Sequence, residues 1–241
     1  SGIVNGYNSG IHSFTIIGSY GTGKSCFLLA LEKDLQSKGQ HNLINPQTLS
    51  SCKKYEVLKI VGDYKDLASL MRNKLAIDGT ADNVLDELRN RYNQAKKRGS
   101  FLIIFIDEFG KVLEHAAKND PEQELYFMQK LAEFVNVPTR QILLVTTLHQ
   151  NFSAYARKLS SVQKEEWNKV KGRFKELVFI EPVEQLLYLA SKQNGSCKDL
   201  GENASGLNKL CQLAKDTKFL SDGLSFETTE ALYPLEPFSA Y

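Results

Sequence analysis

The run Gly18-Ser19-Tyr20-Gly21-Thr22-Gly23-Lys24-Ser25 has the form G-x-x-x-x-G-K-S, the P-loop pattern. Its glycines reach backbone conformations closed to other residues, so successive N–H groups can turn inward around phosphate oxygens. A helix opening behind the loop adds positive potential, with Cys26 in its first turn. Lys24 then reaches the β- and γ-phosphates and the Ser25 hydroxyl reaches a Mg²⁺ ion. The chemistry expected of residues Gly18 to Cys26 is therefore the binding of a purine nucleoside triphosphate with Mg²⁺, with the choice between ATP and GTP left open by the motif.

Asp107-Glu108 closes the apolar run Phe101-Leu102-Ile103-Ile104-Phe105-Ile106. At the C-terminal tip of a parallel strand, where ligands gather, Asp107 is placed to hold the metal through water. Glu108 is placed to orient and deprotonate a water that attacks the γ-phosphate. Thr146-Thr147 ends the next apolar run, and a hydroxyl there can hold that water or touch the γ-phosphate. His149 follows two positions later and can join the same network. The catalytic set thus reads Lys24, Glu108, Thr146 and Thr147, with Ser25 and Asp107 on the metal.

These groups need a frame. Residues 12–17 form a β-rich run that stops at glycine, and 24–35 place Phe27, Leu28, Leu31 and Leu35 along one helical face. Lys33, Lys38 and Gly39 mark the end of that helix. A second strand is expected at 55–61, followed by helices over 64–75 and 81–97. The run at 101–106 lacks alternation, as a strand covered on both faces would. A helix over 121–135 precedes a strand at 141–146, and 177–180 supplies a fifth. Strands separated by helices imply crossover connections. The fold expected is α/β, a three-layer parallel five-stranded P-loop NTPase sheet with helices on both faces. Residues 182–241 offer helices at 183–191 and 207–215, so a core over 1–181 should be followed by a partial α-helical lid. The ending at Pro237-Phe238-Ser239-Ala240-Tyr241 has no stop signal, so the parent chain is expected to continue.

The 241 residues hold 30 Lys and Arg against 28 Asp and Glu, a formal charge of +2 that does not indicate a nucleic-acid partner. Arg89, Arg91, Lys96, Lys97 and Arg98 read as cations gathered at a helix C-terminus rather than phosphate contacts. No apolar run approaches the ~20 residues of a membrane span, so no membrane partner is expected. Cys26, Cys52, Cys197 and Cys211 contain no C-x-x-C pair, which suits reduced thiols in a cytoplasmic protein better than a metal site. Trp167, the single tryptophan, is expected to anchor helix packing.

Taken in order, the loop, the acid pair and the polar strand tip resemble the AAA+ ATPases and the related STAND ATPases, especially their initiator-like branch, over roughly residues 12–190. That resemblance implies Mg-dependent ATP hydrolysis coupled to partner remodelling or to assembly, as a homo-oligomer or with other subunits of a larger complex. Lys169-Val170-Lys171-Gly172-Arg173-Phe174 is similar to the family's G/S-R-F segment and puts Arg173 in the position of the arginine finger. Arg157 is the rival position, and an acid such as Glu176 could instead pair with Arg173. The loop wording and Tyr233-Pro234-Leu235-Glu236-Pro237 are similar to large bacterial ATPases of phage-exclusion (BREX-like) and other antiphage systems. The family's second sensor arginine has no clear counterpart between Pro182 and Tyr241, which favours the alternative of a nucleotide-gated interaction or signalling module with little hydrolysis. A P-loop kinase is weaker still, because no acceptor pocket can be assigned.

Overall fold

The computed structural model describes residues 2–37, 49, 52, 54–179, 187–188, 190–192, 203–217 and 226–232. The chain divides into two compact units, Ser1–Phe179 and Ile180–Tyr241. In the first, β1 (Ser13–Ile17), β2 (Lys54–Val61), β3 (Ser100–Asp107), β4 (Ile142–Leu148) and β5 (Lys175–Val178) form one all-parallel sheet in the order β2-β3-β4-β1-β5.

The unbroken apolar run of β3 follows from its central place. Successive side chains of a strand point to opposite faces, so Leu102, Ile104 and Ile106 enter one core while Phe101, Ile103 and Phe105 enter the other. The Phe105 face is covered by α1 (Gly2–Asn8) and α2 (Lys24–Gln36), which contribute Ile3, Leu28, Leu31 and Leu35. The Ile104 face is covered by α3 (Leu67–Leu75), α4 (Ala81–Lys97), α5 (Phe109–Lys118), α6 (Pro121–Val135), α7 (Phe152–Tyr155) and α8 (Ser161–Lys171). Trp167 of α8 is fully buried there, its indole N–H donating to the Phe152 carbonyl at 3.0 Å.

Several boundaries differ from expectation for local reasons. β5 pairs as Lys175–Val178 rather than 177–180, because an edge strand tolerates the polar Lys175 and Glu176 beside β1; Ile180 lies outside the described residues. β4 extends to Leu148, two residues past the expected end. α3 begins at Leu67, since the Asp66 side chain accepts from the Ser69 N–H at 2.7 Å and caps it. α2 ends at Gln36, and Lys38 and Gly39 lie outside the described residues. α1 and α5 carry no expectation from the sequence, although Phe109, Val112, Leu113 and Ala116 of α5 are buried at helical spacing. The basic cluster is largely paired: Arg89 with Asp86, Arg91 with Glu87, and Arg98 with both Glu56 oxygens.

In the second unit, residues 187–188 and 190–192 are helical, as are α9 (Asn203–Asp216) and α10 (Phe226–Ala231). Leu207, Cys211 and Ala214 are buried, with Cys211 Sγ 3.7 Å from the Thr229 hydroxyl. Cys26 is exposed, Cys52 Sγ donates to Gln141 Oε1 at 3.0 Å and Cys211 is buried, and Cys197 and the Tyr233–Pro237 segment lie outside the described residues. No described helix is long and apolar enough to cross a membrane.

Asn136, capping the end of α6, ties the N-terminal edge of the sheet together. Its Oδ1 accepts from the His12 and Ser13 N–H groups at 2.8 and 3.0 Å, while its Nδ2 donates to Ser13 Oγ at 2.7 Å and to the Arg173 carbonyl at 2.8 Å. Replacing it leaves buried donors unpaired, at about 1–3 kcal/mol for such a group. Asn136→Ala should therefore lower unfolding stability by about 2–3 kcal/mol in urea, whereas the exposed Asn119→Ala should change it by less than about 1 kcal/mol.

Candidate functional site

The parallel sheet brings the loop after β1, the tip of β3 and the tip of β4 to one edge. Between them lies a cleft of about 510 Å³, lined by loop residues Tyr20, Gly21 and Gly23, by Lys24, Ser25 and Cys26, by Asp107 and Glu108, and by Thr147 and His149. The sequence-derived loop, acid pair and second threonine thus converge.

Gly21 and Gly23 hold φ of 78° and 85°, the left-handed region that an L side chain rarely adopts. Gly23 lies directly before α2, so the loop turns onto the helix N-terminus as an anion cradle needs. Gly18, Ser19 and Thr22 support the loop from behind. Gly18 N–H continues the ladder to the Leu148 carbonyl at 3.1 Å, and the Thr22 hydroxyl donates to the Ser19 carbonyl at 2.9 Å. Lys24 Nζ donates to the Gly18 and Ser19 carbonyls at 2.6 and 2.7 Å. Desolvation lowers its pKa, and the nearby Asp107 partly restores it.

Asp107 sits one step beyond the paired residues Ile106 and Thr146. By alternation it shares a face with Phe105, the face that α2 covers, and Thr147 shares a face with Val145. The Thr147 hydroxyl donates to Asp107 Oδ1 at 2.6 Å and accepts from the Glu108 N–H at 2.9 Å; that N–H also reaches Asp107 Oδ1 at 3.0 Å. With Oδ1 so engaged, Oδ2 is the oxygen left for a cation, and with the Ser25 hydroxyl it makes the hard oxygen set that Mg²⁺ takes. The residues present fit that ion.

Thr146 lies elsewhere. Fully buried, its hydroxyl is 2.9 Å from that of Thr15 and 3.3 Å from the Phe14 carbonyl, on the opposite face from the cleft. It does not line the site, because adjacent strand residues cannot face the same way. His149 stacks on the exposed Tyr20 ring, centroids 4.7 Å apart, and its Nδ1 is 3.1 Å from the Tyr155 hydroxyl. Burial raises the pKa of that tyrosine.

Glu108 has φ 53°, a left-handed conformation unusual for a side chain of this kind. Strain of this sort costs about 1–3 kcal/mol and collects at functional sites. It swings the carboxylate out of the strand line toward Lys111, whose Nζ is 2.5 Å from Glu108 Oε2. That hydrogen bond and the carboxylate charge raise the Lys111 pKa. Lys111 lines the cleft too, and sequence reading passed over it along with α5. Gly62 is the other omission. Its N–H donates to the Asp107 carbonyl at 2.7 Å, and a Cβ there would stand 2.3 Å from the Glu108 carbonyl oxygen.

Arg173 lies at the other edge of the sheet, its carbonyl held by Ser13 and Asn136 and its guanidinium paired with Glu133 at 2.7 Å rather than with Glu176. The length of β1, roughly 15 Å at ~3.3 Å per residue, separates it from the loop. Arg173 therefore cannot serve the cleft of its own chain. Arg157 is exposed in the turn after α7.

Residues 14–170 match the ATPase family associated with various cellular activities (AAA). No curated protein matches the chain. Among solved structures, similarity extends to the Aeropyrum pernix ORC2 protein in ADPNP–ADP complexes at 16% identity and TM-score 0.48, covering 93% of this chain and 63% of that one. Drosophila ORC bound to DNA follows at 13% identity and TM-score 0.47, covering 97% and 59%. CDC6P from Pyrobaculum aerophilum gives 15% identity and TM-score 0.44, covering 78% and 45%. The chain thus spans between 45% and 63% of the length of these structures.

Because the Gly62 position abuts backbone, no side-chain rotation can relieve an added methyl. Gly62→Ala should cost about 1–3 kcal/mol of stability, the range for overpacking, read from the urea midpoint at constant slope.

Proposed function

The chain belongs to the ATPase family associated with various cellular activities (AAA), and on that premise we propose that it binds ATP with Mg²⁺ and hydrolyses it. The observation that carries this reading is the convergence of Lys24, Ser25, Asp107, Glu108 and Thr147 on one cleft. Loop N–H groups and Lys24 would hold the phosphates, and Ser25 with Asp107 would hold Mg²⁺. When bound, Mg²⁺ supplies positive charge that offsets charge developing on the phosphate oxygens. Thr147 fixes the Asp107 carboxylate and the Glu108 backbone. A water gives its proton to the Glu108 carboxylate, and the water oxygen bonds to the γ-phosphorus. The bond from that phosphorus to the bridging oxygen breaks, its electron pair leaving with ADP.

Turnover in this proposal is coupled to assembly or partner remodelling, because the remote Arg173 can supply charge only to the cleft of a second chain. Such a finger contributes about 10³–10⁵ in rate. A role in antiphage defence rests on the resemblance of the loop wording and the Tyr233–Pro237 segment to those systems. A second reading, nucleotide binding that gates an interaction with little hydrolysis, draws on the ion pair between Glu108 and Lys111.

Phosphate release against protein concentration separates the two. Hydrolysis by an assembling ATPase should give specific activity that rises with concentration, and Arg173→Ala should remove the rise while ATP stays bound. Glu108→Gln should bind ATP yet turn over at least about 100-fold more slowly, as loss of a general base does, and Lys24→Ala should lose ATP binding. Tight binding without turnover at any concentration would favour gating, and no heat on titration with ATP would overturn both.

A further inference from the structure

Two cations line the cleft, Lys24 and Lys111, against the two carboxylates Asp107 and Glu108. Lys24 has an assigned task at the phosphates, whereas Lys111 has none. Its position is unfavourable for a helix that only needs to be stable: it lies in the first turn of α5, where the dipole disfavours positive charge. It bonds the acid one turn back, and both side chains stay about half exposed, 53% for Lys111 and 50% for Glu108. Exposed pairs of this kind are weak in water and readily exchanged. A γ-phosphate held beside Glu108 presents more negative charge than one carboxylate, with oxygens that bind an ammonium as a point charge.

We propose that Lys111 is a γ-phosphate ligand that exchanges partners, bonding Glu108 in this structure and moving to the γ-phosphate when ATP binds. The exchange frees the Glu108 carboxylate to receive the proton of the attacking water. One lysine thereby reports the third phosphate to the base, and ADP, which lacks that phosphate, leaves the ion pair intact. The inference rests on the ATP-hydrolysing reading above.

The test measures the affinity of the whole chain for ADP and for β,γ-imido-ATP, by calorimetric titration with Mg²⁺. Lys111→Met should weaken the imido analogue at least about tenfold, the scale of a charge-assisted hydrogen bond, and leave ADP within about twofold. Lys111→Arg should restore the preference for the triphosphate. Glu108→Gln should tighten the imido analogue by releasing Lys111, and the double variant with Lys111→Met should lose that gain, a non-additivity independent of folding. Matching thermal unfolding curves would show that the half-exposed substitution leaves the fold intact. Equal losses for both nucleotides, or none, in Lys111→Met would overturn the exchange while leaving hydrolysis by the wild type standing. Wild type binding neither nucleotide would overturn the hydrolytic reading and this inference with it.

Discussion

The Asp107 carboxylate is fixed by the protein's own hydrogen bonds, and the geometry of the cleft follows from how. Its Oδ1 takes the Thr147 hydroxyl from the neighbouring strand and the N–H of the next residue, at 2.6 and 3.0 Å. Both partners stand at strand tips whose register is set by the ladder between β3 and β4. A shift of one residue in that ladder would turn Thr147 to the opposite face and release the acid. The twofold apolar coverage of β3 and β4 makes such a slip prohibitive, since it would exchange the residues of two cores at once. Core packing and the placement of one oxygen atom are thus a single constraint.

The same constraint explains Glu108. A residue following Asp107 in extended geometry would continue the strand; instead φ turns positive and α5 starts at once. Gly62 permits this turn, because its missing side chain lets the end of β2 approach the Glu108 carbonyl while its N–H takes the Asp107 carbonyl. Backbone contacts from β2 on one side and the Thr147 hydroxyl on the other over-determine the turn, which is how a strained conformation persists.

Much of this was legible in the sequence, and the gaps have physical causes. The P-loop and acid pair could be read because their chemistry needs particular residue types at fixed spacing, and the P-loop glycines take conformations other residues avoid. The run at 101–106 declared a doubly covered strand by its lack of alternation. Thr146 and Thr147 could not be told apart, because period-two alternation says that neighbours face oppositely without saying which one faces the cleft. α5 escaped notice because it starts on a strained glutamate with no capping side chain, so the usual start signal is missing even though Phe109, Val112, Leu113 and Ala116 keep helical spacing. Gly62 and Asn136 act through long-range contacts, which local sequence patterns do not encode. The edge strand β5 starts two residues before the expected 177, because backbone pairing there includes Lys175 and Glu176, whose polarity hides the start.

Arg173 and Lys111 pose the same physical question at opposite edges of the sheet. Each is a cation resting on a surface carboxylate, Glu133 at 2.7 Å for the first and Glu108 at 2.5 Å for the second. Arg173 keeps its backbone fixed by other means, the bonds from Ser13 and Asn136 to its carbonyl, so the guanidinium can change partners without disturbing β5. Lys111 likewise stands on a helix whose buried residues secure it independently of the ammonium. In both cases the fold is carried by the main chain and the core; the Arg173 pair is half-buried, whereas the Lys111 pair is half exposed and of little energetic consequence. A charge held that loosely is available to a phosphate, which outcompetes a carboxylate by its greater charge wherever it is brought within reach.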